Sequence, residues 1–539
     1  MTDQFPALAD FDFRPRPIPI PWDRPVFEFR WPKARVRILV VADGSGSFDR
    51  ANNFGLGMAL EDALETTTHP DFPSYVTFEV TKAHRSSAAG ADINNFRFRE
   101  GTLGEYDEVW LFGVSATSPY LDQPSIPNVP NSVTEKEVLE AFMDAGGGVL
   151  AMGDHQNLGL GLCGDVKRVR SMRKWWWNDP NKPAGMEEAP HAFNLDRNDT
   201  VQAPAPGGDV NMGQQSDGTP QPIYPVYSYR WRFGASRPFA RVKYPHPVLC
   251  GPRGVIKVMP DHQHEGDCIE PHSNFAGEFP GGVDAEVIAH GRNVVGRTKS
   301  GYTVTQPRQF GLIGAWDGHL AGGNYGRVLV DSTWHHWFNI NLRGLESETP
   351  TTEYDDILAY FRNCAIWLAR PERHRDMKRA GQLVTLYTPQ LIEHVLTLDD
   401  FRPAEFYLWG TYARDALGRI APRCQSAAWI WELTRPLLNE NLLDRFFNIK
   451  EQVDKGDIDP VEEMLDDAVT EVAAMTMLGG VFQALALQVK TGTVEEAEDL
   501  AKKMDGRFEK LAEEGGKRAA DYLEKRLKGF DKRLAKACA

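Results

Sequence analysis

Val36-Arg37-Ile38-Leu39-Val40-Val41-Ala42, followed by Asp43-Gly44-Ser45-Gly46-Ser47, is the stretch on which the fold turns. An apolar run of this length without alternation reads as a strand buried on both faces, and the Gly/Ser segment reads as its exit loop. Leu56, Leu60 and Leu64 then recur at helical spacing. Val76 to Val80 and Tyr106 to Gly113 supply two more strand-like runs, so the order begins βαββ. Thr134 and Glu137 have the spacing of a capping box. Val138, Leu139, Phe142 and Met143 give that helix an apolar face, and Gly146-Gly147-Gly148 ends it. Val149 to Met152 follows as a strand stopping at Gly153-Asp154-His155. Regularity returns with Glu286 to Ala289, Phe310 to Ala315 and Arg327 to Val330, the last running into Asp331-Ser332-Thr333-Trp334-His335-His336. Ile357, Leu358, Phe361, Ala365 and Leu368 mark an amphipathic helix that closes the domain. Strands alternating with helices predict an α/β domain with a parallel sheet.

Working outward, residues 1–35 are rich in proline and aromatics and read as an extended arm. The α/β domain spans 36–372, with a long irregular insertion at about 156–285, and a helical C-terminal region covers 373–539. Val472 to Val489 is eighteen residues without a charge, but it holds Thr476, Gln483, Gln488 and Gly479-Gly480. Lipid would leave those polar groups poorly satisfied, so a helix buried in protein is expected there rather than a membrane span.

The 60 Lys and Arg stand against 75 Asp and Glu, a net charge of −15 that disfavours nucleic acid and anionic membranes as partners. The tail from Val494 to Lys536 reads as a close mixture of acids and bases, and no basic patch of note is apparent. Six scattered cysteines, Cys163, Cys250, Cys268, Cys364, Cys424 and Cys538, form no C-x-x-C pair and fit a reducing cytoplasm. Met1 to Arg14 has no apolar core of signal-peptide length, so a cleaved export signal is not expected.

Three segments together resemble the class I glutamine amidotransferase-like superfamily, and within it the trehalose-utilisation (ThuA-like) branch. They are Gly146 to His155, the His246-Pro247-Val248-Leu249-Cys250-Gly251 motif, and Gly326-Arg327-Val328-Leu329-Val330 ahead of His335. The resemblance covers about 300 residues. It implies a flavodoxin-like sheet with helices on both faces, and chemistry on a carbohydrate-related or other polar small molecule. True glutaminases place a nucleophilic cysteine on the strand-to-helix elbow; here Met152 falls near that position, and a thioether cannot attack an amide. Glutaminase activity is therefore not expected. Cys163, some ten residues on, reads as structural.

In a parallel sheet, ligands bind beyond the carboxyl ends of the strands. Asp154 and His155 after one strand, and Asp331 and His335 after another, are therefore the expected catalytic acid/base groups; a role capping loops is the plainer reading of the same residues. Asp43, Ser45, Trp316 and His336 are the expected substrate-binding residues. His262, His264 and Glu265 lie in a polar run whose alternating histidines suit a divalent metal, although a plain loop accounts for them too. Trp175, Trp176 and Trp177 read as a structural plug before a stacking platform. The combined expectation is a hydrolase-type enzyme, with a divalent metal as its one candidate cofactor. The rival is a non-catalytic ligand-sensing or assembly module, in which a degenerate amidotransferase-like domain binds a ligand while the C-terminal helices form homo-oligomers or engage a partner, a membrane among the candidates.

Overall fold

The computed structural model describes residues 33–69, 71–117, 120–127, 129, 132–154, 158–175, 220–228, 245–260, 266–292, 309–346, 352–386, 388, 391, 403–421, 423–434, 460–490 and 507–538. Residues 1–32 of the expected N-terminal arm, His155, the Trp176-Trp177 pair and the His262, His264, Glu265 trio lie outside them, while Ala34 and Arg35 of that arm belong to the first strand. The described chain falls into two compact units, one running from Lys33 to Lys378 and the other helical from Arg379 onward.

In the first unit, β1 (Ala34–Ala42) pairs in parallel with β2 (Val76–His84) on one side and β3 (Glu108–Phe112) on the other. Next to β3 come β4 (Gly148–Met152) and then β12 (Val328–Asp331), both parallel to it. Residues Ile38 to Ala42 have no solvent exposure, as expected of a strand flanked on both edges and covered on both faces. The edge strand β2 is half polar, and its Glu79 is paired across the strand with Arg35 and Arg37. Charges of this kind keep an open edge from pairing with another chain.

The rest of the sheet departs from the parallel expectation. β11 (Gln309–Trp316) runs antiparallel to β12, β10 (Glu286–Arg292) antiparallel to β11, and β6 (Tyr224–Pro225) antiparallel to β10 at the far edge. The physical reason is in the chain length. Only Asp317 to Arg327 joins β11 to β12, too short for the crossover of a dozen or more residues that a parallel return requires. Two small ribbons, β5 (Gln221–Pro222) with β9 (Val258–Met259) and β7 (Cys250–Gly251) with β8 (Gly254–Val255), belong to the insertion.

Helices cover both faces. Leu39, Val41, Val109, Leu111, Val149, Ala151, Val328 and Val330 face α2 (Glu135–Asp144) and α3 (Leu160–Cys163) in one continuous core. The capping box forms as the spacing predicts: Glu137 N–H donates to Thr134 Oγ1 at 3.2 Å, and Thr134 N–H to Glu137 Oε2 at 2.6 Å. Gly146 then takes φ +89, and a Cβ on Gly148 would lie 2.1 Å from Leu368 O, so the turn into β4 admits only glycine at these points. The opposite face meets α5 (Thr352–Leu368). There Trp337 stacks on Phe361 at 4.0 Å and sits edge-on to Trp110 and Phe112 at 5.3 and 5.7 Å. The Leu56, Leu60, Leu64 stripe forms a short helix, α1 (Gly57–Leu60), that widens into a π-turn over Glu61–Glu65. α4 (Asn339–Leu342) ties the first loop down: Asn339 Nδ2 donates to the carbonyls of Asp49, Arg50 and Asn52. α6 (Pro371–Leu386) carries the chain across the boundary at Lys378.

In the helical unit, α7 (Phe406–Ile420), α8 (Arg423–Thr434), α9 (Pro460–Lys490) and α10 (Phe508–Cys538) follow in order. α9 contains the uncharged stretch. Met477, Leu478, Val481, Phe482, Leu485 and Ala486 are buried, Gln483 is enclosed, and Thr476 Oγ1–H donates to Val472 O at 2.7 Å. Among the described residues no helix is long and apolar enough to cross a membrane.

Candidate functional site

At the carboxyl end of the parallel strands, Met152 and Asp331 stand opposite each other in the β4–β12 register. Two residues further along each chain come Asp154 and Thr333, so the pairing that aligns the strands also brings these side chains together. Thr333 Oγ1–H donates to Asp154 Oδ1 at 3.0 Å, and His335 N–H donates to Thr333 Oγ1 at 3.0 Å. His335 Nε2 lies 3.6 Å from Asp154 Oδ2, too long for a hydrogen bond. On its other side His335 Nδ1–H donates to Asn341 Oδ1 at 3.0 Å. Asn341 thereby holds the ring with Nδ1–H as a donor and Nε2 turned toward Asp154. The Trp334 ring lies against the imidazole at 4.2 Å and stacks on Phe338 at 4.7 Å. Asp154 and His335 are both almost wholly buried.

Arg173, also buried, holds this arrangement from behind. Its Nη2 donates to Ser332 O at 2.8 Å and to Asp154 O, and its guanidinium lies 4.2 Å from the Trp175 ring. Gly266 N–H donates to the same Ser332 carbonyl at 2.8 Å, and a Cβ on Gly266 would meet the guanidinium. Trp175 is thus the buried plug that the sequence suggests.

Asp331 and His336 form a second pair beneath the first. His336 Nδ1–H faces both Asp331 carboxylate oxygens at 2.8 and 3.0 Å. Trp337 Nε1–H, Tyr360 O–H and Thr333 N–H donate to the same carboxylate. With four donors on it, Asp331 is occupied in joining the sheet to α5, and His336 is committed to Asp331.

Asp43, at the end of β1, takes the backbone N–H groups of Val114 and Ser115 on Oδ1 at 2.6 and 2.9 Å, while its buried Oδ2 has no partner. Burial raises its pKa, against the opposing effect of those two N–H donors and of Arg85. Ser45 is exposed beside it on the loop.

Trp316 is a correction to the expected substrate wall. It is completely buried, its Nε1–H donates to Val283 O at 2.8 Å, and Arg168 lies over its ring at 4.8 Å. Because β11 runs antiparallel, Trp316 pairs with Val328 at the start of β12, which puts it at the opposite end of the sheet from Asp154. His319 and Asp317 share that far end, where Asp317 and Arg327 form a two-pronged ion pair.

Met152 is the last residue of β4 and is buried, and Gly153 to Gly159 separate it from α3 in the sequence. Cys163 is buried, with its Sγ 3.5 Å from Met152 O. Burial first, and the nearby Asp43 second, push its thiol far above the range in which a thiolate forms. Cys163, Cys268 and Cys364 are free, whereas Cys250 is disulfide-bonded, which the fully reduced set expected from the sequence did not include. Among the described residues no three His, Cys, Asp or Glu side chains are grouped to hold a metal ion.

Asn341, Thr333 and Arg173 are site residues that motif reading missed. Asn341 alone had a usable signal: it lies six positions after His335, just beyond the expected sheet edge. No protein-family model, curated protein or solved structure matches the chain.

Proposed function

We propose that the chain is a hydrolase-type enzyme acting on a polar small molecule or carbohydrate-related substrate, with Asp154 and His335 as its acid/base pair. The observation that carries this reading is the Asp154, Thr333, His335, Asn341 chain of contacts at the carboxyl edge, with one imidazole nitrogen anchored and the other facing a carboxylate. The order of the five parallel strands, second, first, third, fourth and fifth along the chain, supports reading the domain as flavodoxin-like and as related to the class I amidotransferase-like superfamily. A cysteine route is disfavoured by the buried, protonated Cys163, so glutamine hydrolysis is not part of the proposal. A divalent metal at His262, His264 and Glu265 is the second route. Gly266, which follows that trio, is bonded to Ser332 beside the pair.

The test is a panel of glycosides, esters, amides and phosphoesters given to the full chain, with metal content measured on the same preparation. Turnover that falls about 10²-fold or more in both Asp154→Asn and His335→Gln supports the reading. Turnover indifferent to both substitutions overturns it. The near-complete burial of Asp154 and His335 favours the rival, a non-catalytic sensor, and no turnover on any substrate class would leave that reading standing. A cytoplasmic location belongs to the same proposal. The three free buried thiols support it, the Cys250 disulfide weighs against it, and thiol labelling of protein from freshly lysed cells decides between them.

A further inference from the structure

The indole N–H groups of Trp110, Trp175, Trp316 and Trp337 each donate to an oxygen of the chain: Glu108 Oε2, Val169 O, Val283 O and Asp331 Oδ2. Trp334 is buried as well, 5 % exposed, yet its Nε1–H has no acceptor among the described residues. Buried donors left unmade are costly and rare, and a catalytic or binding role is one of the few reasons to keep one. This donor is at the candidate site. The Trp334 backbone N–H donates to Gly153 O at 2.8 Å, one residue before Asp154, which seats Trp334 on the carboxyl edge. Its ring lies 4.2 Å from the His335 imidazole and 4.7 Å from Phe338. Phe54, half-buried, meets Trp334 and Phe338 edge-on at 5.8 and 6.0 Å.

The geometry points to Trp334 Nε1–H as the donor to the carbonyl oxygen of an acyl ester or amide substrate. The chemistry of the group selects this class. An indole N–H donates without releasing its proton, so it suits an oxygen that gathers negative charge as a bond forms. A glycosidic oxygen has instead to be protonated. A phosphoester spreads its charge over several oxygens and calls for cations, whereas Arg173 Nη2 is engaged by Asp154 O and Ser332 O. The inference rests on the Asp154–His335 reading for its proton transfers. Water gives a proton to His335 Nε2, and its oxygen bonds to the carbonyl carbon. The C=O electron pair moves onto the carbonyl oxygen, which accepts Trp334 Nε1–H. As that pair returns, the bond to the leaving oxygen or nitrogen breaks, and the leaving group takes the proton from His335. The products are a carboxylic acid and an alcohol or amine.

The experiment has two arms on the full-length protein. In the first, indole nitrogens are labelled with 15N, and the Trp334 resonance is identified by its loss in Trp334→Phe and Trp334→Tyr. Circular dichroism establishes that each variant is folded. Acetamide should move this resonance downfield, and methyl glucoside and inorganic phosphate should not. In the second, 4-nitrophenyl acetate should be turned over, with kcat about 10²-fold lower in Trp334→Phe and KM within about twofold of the parent. A resonance unmoved by acetamide, or moved only by methyl glucoside or phosphate, overturns the proposal. So does a kcat that neither variant alters. Ester turnover with an unmoved resonance removes Trp334 and leaves the Asp154–His335 pair standing. A resonance moved by acetamide without turnover of any ester or amide supports the donor and removes the pair.

Discussion

Burial moves the pKa of Glu108 up and that of His319 down in the folded chain, and the two bend its stability in opposite directions with pH. Glu108 is fully buried at the start of β3. Its Oε2 accepts Trp110 Nε1–H at 2.8 Å, while Oε1 has no partner. Burial, and then the charge of Asp107, raise its pKa well above the usual carboxyl range. The folded state therefore binds a proton that the unfolded chain releases above about pH 4.5. The associated stability is complete below that value and is lost as pH rises through the folded pKa, by about 1.4 kcal/mol per pH unit. Glu108→Gln should thus be more stable than the parent at pH 7 and indistinguishable from it at pH 4 in thermal melts. A parallel pH slope in both proteins would contradict this. His319 has the reverse sign. Desolvation, and then Arg327, push its pKa down to about 2, so its contribution is complete above pH 6.5 and is lost as pH falls below that. His319→Gln should flatten the acid limb of the stability curve between about pH 6.5 and 4. An unchanged acid limb would show that the imidazole takes up a proton in the folded chain.

The same scale shows what could be read in advance. Asp154 and His335 were legible because each follows an apolar run that ends abruptly, and strand ends are where this architecture collects ligands. Thr333, Asn341 and Arg173 were not. Their roles depend on the β4–β12 register and on a guanidinium reaching two carbonyls, and neither leaves a periodic trace. His155 and the His262, His264, Glu265 trio stay as sequence expectations.

Among the elements, the strands were found nearly where the apolar runs placed them, and the failure was one of direction. Phe310 to Ala315 reads equally well as a parallel or an antiparallel strand, since burial on both faces erases alternation either way. The short Asp317 to Arg327 link settles the direction, and with it the end of the sheet at which Trp316 lies. The helical unit offers a cleaner test of packing. Gly479 and Gly480 are adjacent on α9 and serve different neighbours: a Cβ on Gly479 would lie 1.7 Å from Phe406 O on α7, and one on Gly480 2.3 Å from Gly515 O on α10. The uncharged stretch owes its composition to this close contact on two sides, which needs no lipid. Gly479→Ala should cost about 1–3 kcal/mol through overpacking. Gly418→Ala, where the added methyl meets nothing within 4 Å, should gain about 0.5–1 kcal/mol from helix propensity. Chemical denaturation of the two variants should move in opposite directions. The same sign for both would mean that α9 does not pack against α7 through Gly479.

For the whole molecule, net charge proved the least informative quantity. A value of −15 describes the protein's average and hides the stretch 525–536, where six Lys and Arg stand against Asp531 alone, so partners have to be argued segment by segment. Function follows the same rule: the fold supplies a carboxyl edge, and the proposed chemistry rests on four side chains there, Asp154, Thr333, His335 and Asn341. Asp154 and His335 are proposed to act as one unit, and a double-mutant cycle on turnover, using the best substrate from the panel, is the direct test. If they do, Asp154→Asn and His335→Gln each lower the rate severely, and the double variant is hardly slower than the worse single one. If the two losses multiply, the residues act independently, and the acid/base pair proposed here does not exist.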